Sequence, residues 1–457
     1  MVQSWNRLSS SADVGAPKPQ ENALQFRKFW VGWATVDHLL TGIVPRRVEV
    51  VALDRFREEP VLLLQGPRSV GKSTLLGRLA NESGARLLDL DDVATRDAVA
   101  SDPATFIAGP EPVCIDEYQH VPLVLDAIKA ELNRDGRPGR FVLTGSARHE
   151  SLPAAAQALT GRLHRLPVYP LSQGEIVGVE EHLLGRLFAG EAGELTGRTS
   201  STAREEYVER IVAGGFPIPL ARGTAAGRSR WFDDYVRLTV ERDVRELARV
   251  EQAAVLPKLL ERLAGQTGQV LNLTRAAQAL HVSERTADNY LRLLEAVFLV
   301  HRLPAWGTTL SSRAASRPKI HVVDSGVAAR LLRLTPDKLA RRDPTALTEL
   351  GHLLETFVVG ELMKQASWLD GVSGVGHWRT RDGDEVDLVV ERDDGGVVAV
   401  EVKASQRVDP REIAPLRKLR DAAGSAFIAG VVLHLGAQSY TSEERLHVLS
   451  VDQLWGG

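Results

Sequence analysis

The sequence predicts an α/β protein built around a parallel sheet, and three consecutive stretches carry that prediction. Residues 61–65, VLLLQ, are an apolar, β-prone run of the kind buried on both faces of a parallel sheet. Residues 66–73, GPRSVGKS, follow at once and fill every position of the pattern G-x-x-x-x-G-K-[ST]. Residues 74–80 then place Leu75, Leu76 and Leu79 at helical spacing. Strand, glycine loop and helix in that order make a cradle for phosphate. Glycines let backbone N–H groups turn inward, and the helix start adds the positive end of its dipole.

The loop predicts triphosphate binding by Gly66, Pro67, Arg68, Ser69, Val70, Gly71, Lys72, Ser73 and Thr74. Lys72 is expected to reach the β- and γ-phosphates and the Ser73 hydroxyl to ligate Mg²⁺, so ATP and Mg²⁺ are the expected cofactors. After a second strand over residues 85–90 comes PVCIDE, residues 112–117, an apolar strand ending in two carboxylates. Asp116 is expected to hold Mg²⁺, and Glu117 to orient and polarise the attacking water. Residues 141–146, FVLTGS, read as a further strand inserted beside the phosphate loop, with Thr144 or Ser146 as the sensor of the γ-phosphate. Arg148 and Arg162 are the candidate arginines for the transition state.

Length and composition bound the rest. The 457 residues suggest about three domains. A formal charge of −3 excludes a chain-wide polyanion-binding surface, so any nucleic-acid contact must be a local patch. The single cysteine, Cys114, excludes an internal disulfide and a cysteine-rich zinc site, and its apolar neighbours make it core filler. No apolar run approaches the ~18 residues of a membrane span. The first residues lack a basic-then-apolar signal pattern. The expectation is a cytoplasmic protein with no membrane partner.

The chain divides into a disordered tail over 1–25, a P-loop core over 26–175, a helical lid over 176–252, and two further domains over 253–310 and 311–457. In the lid, Glu241-Arg242-Asp243 reads as a solvated or salt-bridged helix face. Residues 273–303 give helix, turn, helix and strand, with Ser283 as an N-cap, an order that resembles a winged helix. Its second helix offers Arg285, Asn289 and Arg292, but also Glu284 and Asp288, so DNA binding and a protein-contact role stay equally open.

Residues 351–364 read as a helix, 375–380, 385–391 and 397–403 as strands, 411–421 as a helix and 426–435 as a strand. That α-β-β-β-α-β order resembles the restriction-endonuclease-like PD-(D/E)xK fold. Glu401 and Lys403 lie two apart on a strand and share a face. Asp387, Glu401 and Glu355 are the candidate metal ligands, with Lys403 activating the water or stabilising charge.

The segments GPRSVGKST, VCIDEYQHVP, RFVLTGS and LTGRLHRLPVYPLSQGE together resemble the prokaryotic AAA-type ATPases related to STAND regulators, which carry a C-terminal domain of unknown function. Gly214-Gly215-Phe216-Pro217, Glu241-Arg242-Asp243-Val244 and residues 319–326 extend the resemblance over nearly everything after about residue 40. It implies an ATPase core with accessory domains. Two functions remain in view. One is an ATPase coupled to action on nucleic acid through the nuclease-like domain. The other is a nucleotide-gated DNA- or protein-binding regulator, of defence or toxin–antitoxin type, whose nuclease-like domain is inactive. DNA, a protein partner or a further copy of the chain are the expected partners besides ATP.

Overall fold

The computed structural model describes residues 44–148, 159–247, 252–307, 317–341 and 343–456, so the tail expected over 1–25 lies outside the described residues. Five parallel strands form the first sheet: β1 (Val61–Gln65), β2 (Arg86–Asp89), β3 (Val113–Asp116), β4 (Phe141–Gly145) and β5 (Leu163–Pro167). Their order is β2-β3-β4-β1-β5, which puts β4 between the glycine-loop strand and the strand that ends in Asp116. Alternate residues of β1 enter different cores: Leu62 and Leu64 face one, Val61 and Leu63 the other. That two-sided burial is why the strand is apolar without alternation. The helix before it, α1 (Arg47–Glu58), buries Val48, Ala52 and Phe56 at four-residue spacing, and α2 (Lys72–Ser83) follows the loop.

The expected helical segment is helical. It opens with α3 (Gln173–Val177), where the Ser172 and Glu175 side chains form a reciprocal capping box. It continues through α4 (Arg204–Ala213) and α5 (Ala225–Leu238), and α5 runs straight into a wider π-type turn, Thr239–Asp243.

Next come α6 (Val255–Ala264), β6 (Gln269–Val270), α7 (Leu273–Ala279), α8 (Glu284–Ala296), β7 (Val300–Leu303) and β8 (Lys319–Val322). These strands form an antiparallel sheet in the order β6-β8-β7. The boundary expected at residue 311 is therefore displaced. Strand β8 belongs with β6 and β7, because only a third strand between them buries Ile320 and Val322 and satisfies the inner edges of both.

Helix α9 (Pro344–Trp368) introduces the last unit: β9 (Val372–Arg379), β10 (Glu385–Arg392), β11 (Val397–Lys403), α10 (Ala414–Ala423), β12 (Phe427–His434), β13 (Tyr440–Glu443) and β14 (Leu446–Ser450). The sheet order is β13-β14-β12-β11-β10-β9, with β9, β10 and β11 antiparallel and β11 parallel to β12. Helix α9 is buried round most of its circumference, which accounts for its apolar character on every face. Its polar residues tie it to the helical segment. Glu361 accepts from the Gln173 N–H (2.7 Å), Lys364 donates to the Leu171 carbonyl (2.9 Å), and Gln365 accepts from the Leu184 N–H (2.9 Å). The three-stranded and six-stranded sheets are clamped as well. His377 of β9 exchanges backbone hydrogen bonds with Trp306 (2.6 Å) and Pro304 (2.9 Å) beyond β7. Residue 376 must be glycine there, since a Cβ would lie 2.6 Å from the Pro304 carbonyl oxygen.

Candidate functional site

The glycine loop has the backbone that phosphate binding needs. Ser69 (φ 63°) and Gly71 (φ 94°) are left-handed, which turns successive N–H groups to one side. Gly66 serves packing: a Cβ would sit 2.1 Å from the Val168 carbonyl oxygen just beyond β5. Lys72 is buried at the start of α2, and its ammonium donates to the carbonyls of Gly66 (3.0 Å) and Pro67 (2.8 Å). Burial lowers its pKa, against the opposing charges of Glu117 and Asp116. Arg46, which the sequence reading missed, braces the loop from behind. It donates to the carbonyls of Val70 (2.6 Å) and Tyr169 (2.8 Å) and pairs with Glu175 (3.1 Å). No local motif marks Arg46, because its partners lie up to 129 residues away.

The carboxylates of β3 stand where the strand order puts them. The Thr144 hydroxyl donates to Asp116 and accepts from the Glu117 N–H (2.9 Å). The Ser73 hydroxyl also hydrogen-bonds Asp116, so these two oxygen donors already meet. Burial pushes the Asp116 carboxyl up. Burial also opposes ionisation of Glu117, but the Lys72 charge and hydrogen bonds from Gln119 and Ser146 outweigh it and hold its pKa below the usual value. The Ser146 hydroxyl lies 2.9 Å from Glu117 Oε2. Ser73 and Asp116 are a donor set suited to Mg²⁺, which with its water ligands takes one or two protein oxygens plus phosphate. Cys114 is buried, with its thiol pushed up to about 12, as core filler should be.

Neither candidate arginine is directed at this loop. Arg148 donates through its backbone N–H to the Ala296 carbonyl (2.8 Å) and through Nε to the Glu295 carbonyl (2.9 Å), capping the end of α8. Arg162 donates to Asn133 Oδ1 (2.8 Å). What does reach the loop from afar is Asp243, in the π-type turn. Its carboxylate lies 2.7 Å from Arg68 Nε. In the charged triplet it is the aspartate that meets Arg68 of the glycine loop.

The second cluster lies between sheets. Glu355 of α9 and Asp387 of β10 come together as expected, and Glu385 joins them. At their centre stands Lys319 of β8, fully buried, 2.7 Å from Glu355 Oε1, 2.5 Å from Glu385 Oε1 and 2.7 Å from Asp387 Oδ1. Asp387 Oδ2 accepts from the Val402 N–H (2.9 Å). Glu401 pairs with Lys403 (2.6 Å), and its Oε2 is buried without a hydrogen-bond partner among the described residues. Burial and the Asp387 charge push the Glu401 carboxyl up to about 8. Burial would lower the Lys319 pKa, but Asp387, Glu355 and Glu385 raise it well above the ordinary value. Among the described residues no group of three or more His, Cys, Asp or Glu is arranged to hold a metal ion. The sequence reading found Glu355, Asp387 and Glu401 but neither Lys319 nor Glu385, because no local pattern marks a lysine 36 residues from Glu355 and 68 from Asp387 as their partner.

On α8, Arg285, Asn289 and Arg292 are exposed as expected. Arg292 pairs with Asp288 (2.7 Å), and Arg302 of β7 with Glu295 (2.5 Å). No helix of the described residues is long and apolar enough to cross a membrane.

Known proteins match this chain in pieces. Residues 58–177 match the family model for an AAA domain. Residues 204–338 match a domain of unknown function, DUF8612, and residues 350–454 another, DUF4143. The second of these three pieces runs past β8, in agreement with the displaced boundary. An uncharacterized protein of Mycobacterium tuberculosis is 27% identical over 352 residues, covering 76% of this chain and 72% of its own. An uncharacterized protein of Haemophilus influenzae is 24% identical over 293 residues, covering 61% and 62%. Among solved structures, a Walker-type ATPase of Pyrococcus abyssi matches at 17% identity and a TM-score of 0.39, over 64% of this chain and 96% of that one. The RuvB Holliday junction branch migration motor of Thermotoga maritima matches at 18% and 0.25, over 57% and 90%. The parallel-sheet unit is thus the part of the chain that carries the AAA-domain match.

Proposed function

We propose that the protein binds MgATP at the glycine loop and hydrolyses it. The observation that carries this reading is the convergence of Lys72, Ser73, Asp116 and Glu117 at the ends of β1 and β3, with β4 between them. Lys72 would exchange its two loop carbonyls for β- and γ-phosphate oxygens, and the loop N–H groups of residues 66–74 would hold the phosphate chain. Ser73 and Asp116 would hold Mg²⁺, which shields the phosphate charge when bound. Glu117, kept ionised beside Lys72, would accept a proton from the attacking water, and Ser146 would fix the rotamer of Glu117.

Nucleotide binding by titration with a fluorescent ATP analogue, beside phosphate release, tests the assignment. Lys72→Ala should lose binding. Glu117→Gln should keep binding and lose hydrolysis by about a hundredfold or more. Unchanged hydrolysis in Glu117→Gln would remove the glutamate from the reaction.

We read the accessory units as recognition modules. The succession α6-β6-α7-α8-β7-β8, with β8 central in its sheet, supports a winged helix. The succession α9-β9-β10-β11-α10-β12, with β11 parallel to β12, supports a restriction-endonuclease-like fold. Action on nucleic acid through the latter is one outcome. The ion pairs of Arg292 with Asp288 and Arg302 with Glu295 favour the other, a nucleotide-gated regulator that contacts DNA or a protein. Incubation with linear and supercoiled DNA in Mg²⁺ or Mn²⁺, with and without ATP, separates them. Cleavage lost in Asp387→Ala would establish the first.

A further inference from the structure

We infer that Lys319 takes the place of a divalent metal in the acidic cluster of the C-terminal sheet, making that cluster a metal-excluding joint between two sheets. The geometry is that of a filled site. An ammonium has three N–H donors, and Lys319 has three carboxylate oxygens within hydrogen-bond range, from Glu355, Glu385 and Asp387. Two further oxygens are held from outside, while Glu401 Oε2 is buried without a hydrogen-bond partner among the described residues. Asp387 Oδ2 is held by the Val402 N–H, and Glu401 Oε1 by Lys403. One oxygen of each donor that a restriction-endonuclease-like site would offer to a metal, Glu355, Asp387 and Glu401, is thus directed at a lysine.

Space and charge make lysine and metal exclusive. Mg²⁺ draws its oxygens to about 2.0–2.1 Å in an octahedron. An ammonium already lies among the same oxygens, and a second cation there would be repelled by it at a separation where burial weakens screening.

The lysine is fixed by its backbone. Lys319 is paired on one side with Leu303 of β7 and on the other with Val270 of β6. Withdrawing its ammonium would take a fully buried charge away from the carboxylates that balance it. Lys319 therefore binds β8 to α9 and β10 much as a shared ion would. The conclusion does not depend on what the glycine loop does, and it turns the donor set of a metal centre into a structural contact.

The test counts Mn²⁺ bound to the full chain without nucleotide, by the electron paramagnetic resonance signal of the free ion. A Ser73→Ala background silences the loop. The parent should bind no Mn²⁺ at the cluster, and its melting temperature should not move with the ion. Lys319→Ala should melt lower and gain Mn²⁺ binding, tighter by at least tenfold, with melting partly restored by the ion. Adding Asp387→Asn should abolish that gain. Should Lys319→Ala fail to fold, Lys319→Gln, which keeps the length and loses the charge, takes its place. Mn²⁺ bound by the parent and lost in Asp387→Asn would overturn the inference. So would failure of a folded Lys319 variant to gain any binding, since the lysine would then not be what keeps the metal out.

Discussion

Two of the buried lysines, Lys72 and Lys319, stand near several carboxylates and are held in opposite ways. Lys72 donates to two carbonyls of its own loop, while Asp116 and Glu117 are held by hydroxyls and a glutamine. Lys319 donates to the carboxylates themselves. A lysine on a loop that bonds to backbone can turn toward an arriving phosphate and leave the acids to a metal. A lysine on the central strand of a sheet, with its charge spent on three acids, has neither freedom nor a vacant partner. What a carboxylate cluster can do depends on where its cation is anchored, and not only on which acids are present.

Removing the two lysines should break the comparison if it is wrong. Lys319→Ala leaves the buried Glu355 and Asp387 and the half-buried Glu385 without their cation and should cost about 3–5 kcal/mol in chemical denaturation. Lys72→Ala removes two hydrogen bonds to carbonyls and should cost no more than about 1–2 kcal/mol. Equal losses would mean that the two lysines are not held differently.

Glu181 calibrates both, as a buried acid whose hydrogen bonds come from the Ser172 hydroxyl (2.6 Å) and the Gly174 N–H (2.8 Å). Burial, with the Glu361 charge, pushes its carboxyl up to about 8. A carboxyl raised in the folded state stays protonated where the unfolded chain has released its proton, above pH ~4.3. Its contribution is therefore complete below that pH and fades as pH rises through about 8. Stability should fall between pH 6 and 8 by up to about 2 kcal/mol from this group. Glu181→Gln should flatten the curve of melting temperature against pH. An unchanged slope would assign the loss to other groups.

The smallest expected effect is at the loop. Asp243→Ala removes a carboxylate from beside Arg68, and with it one anion that competes with phosphate for that guanidinium. ATP affinity should tighten by roughly fivefold, about 1 kcal/mol. Weaker binding would mean that Asp243 holds Arg68 in place for the nucleotide.

Much of this was legible in residue order. The strand, loop and helix over 61–80, the carboxylates at the end of β3 and the succession of helix and strands over 351–435 follow from local pattern, because each depends on residues near in sequence. The expected strand over 397–403 coincides with β11. The place of Arg148 was not legible: an arginine two residues past Ser146 carries no local sign that its Nε is held by the Glu295 carbonyl at the end of α8. Gly214-Gly215 and Asp324 stood out separately, and the structure joins them: the Gly215 N–H donates to Asp324 Oδ2 (2.7 Å).

By itself the sequence determined the phosphate loop, its acids and the donor set Glu355, Asp387, Glu401 and Lys403, since backbone dihedrals, strand alternation and side-chain chemistry are local properties. Only the tertiary structure decided what stands beside them. Lys319 is 36 residues from Glu355 and 68 from Asp387, and Asp243 is far along the chain from Arg68. Long-range electrostatic neighbours are set by how sheets and helices pack, and no periodicity in the chain encodes them.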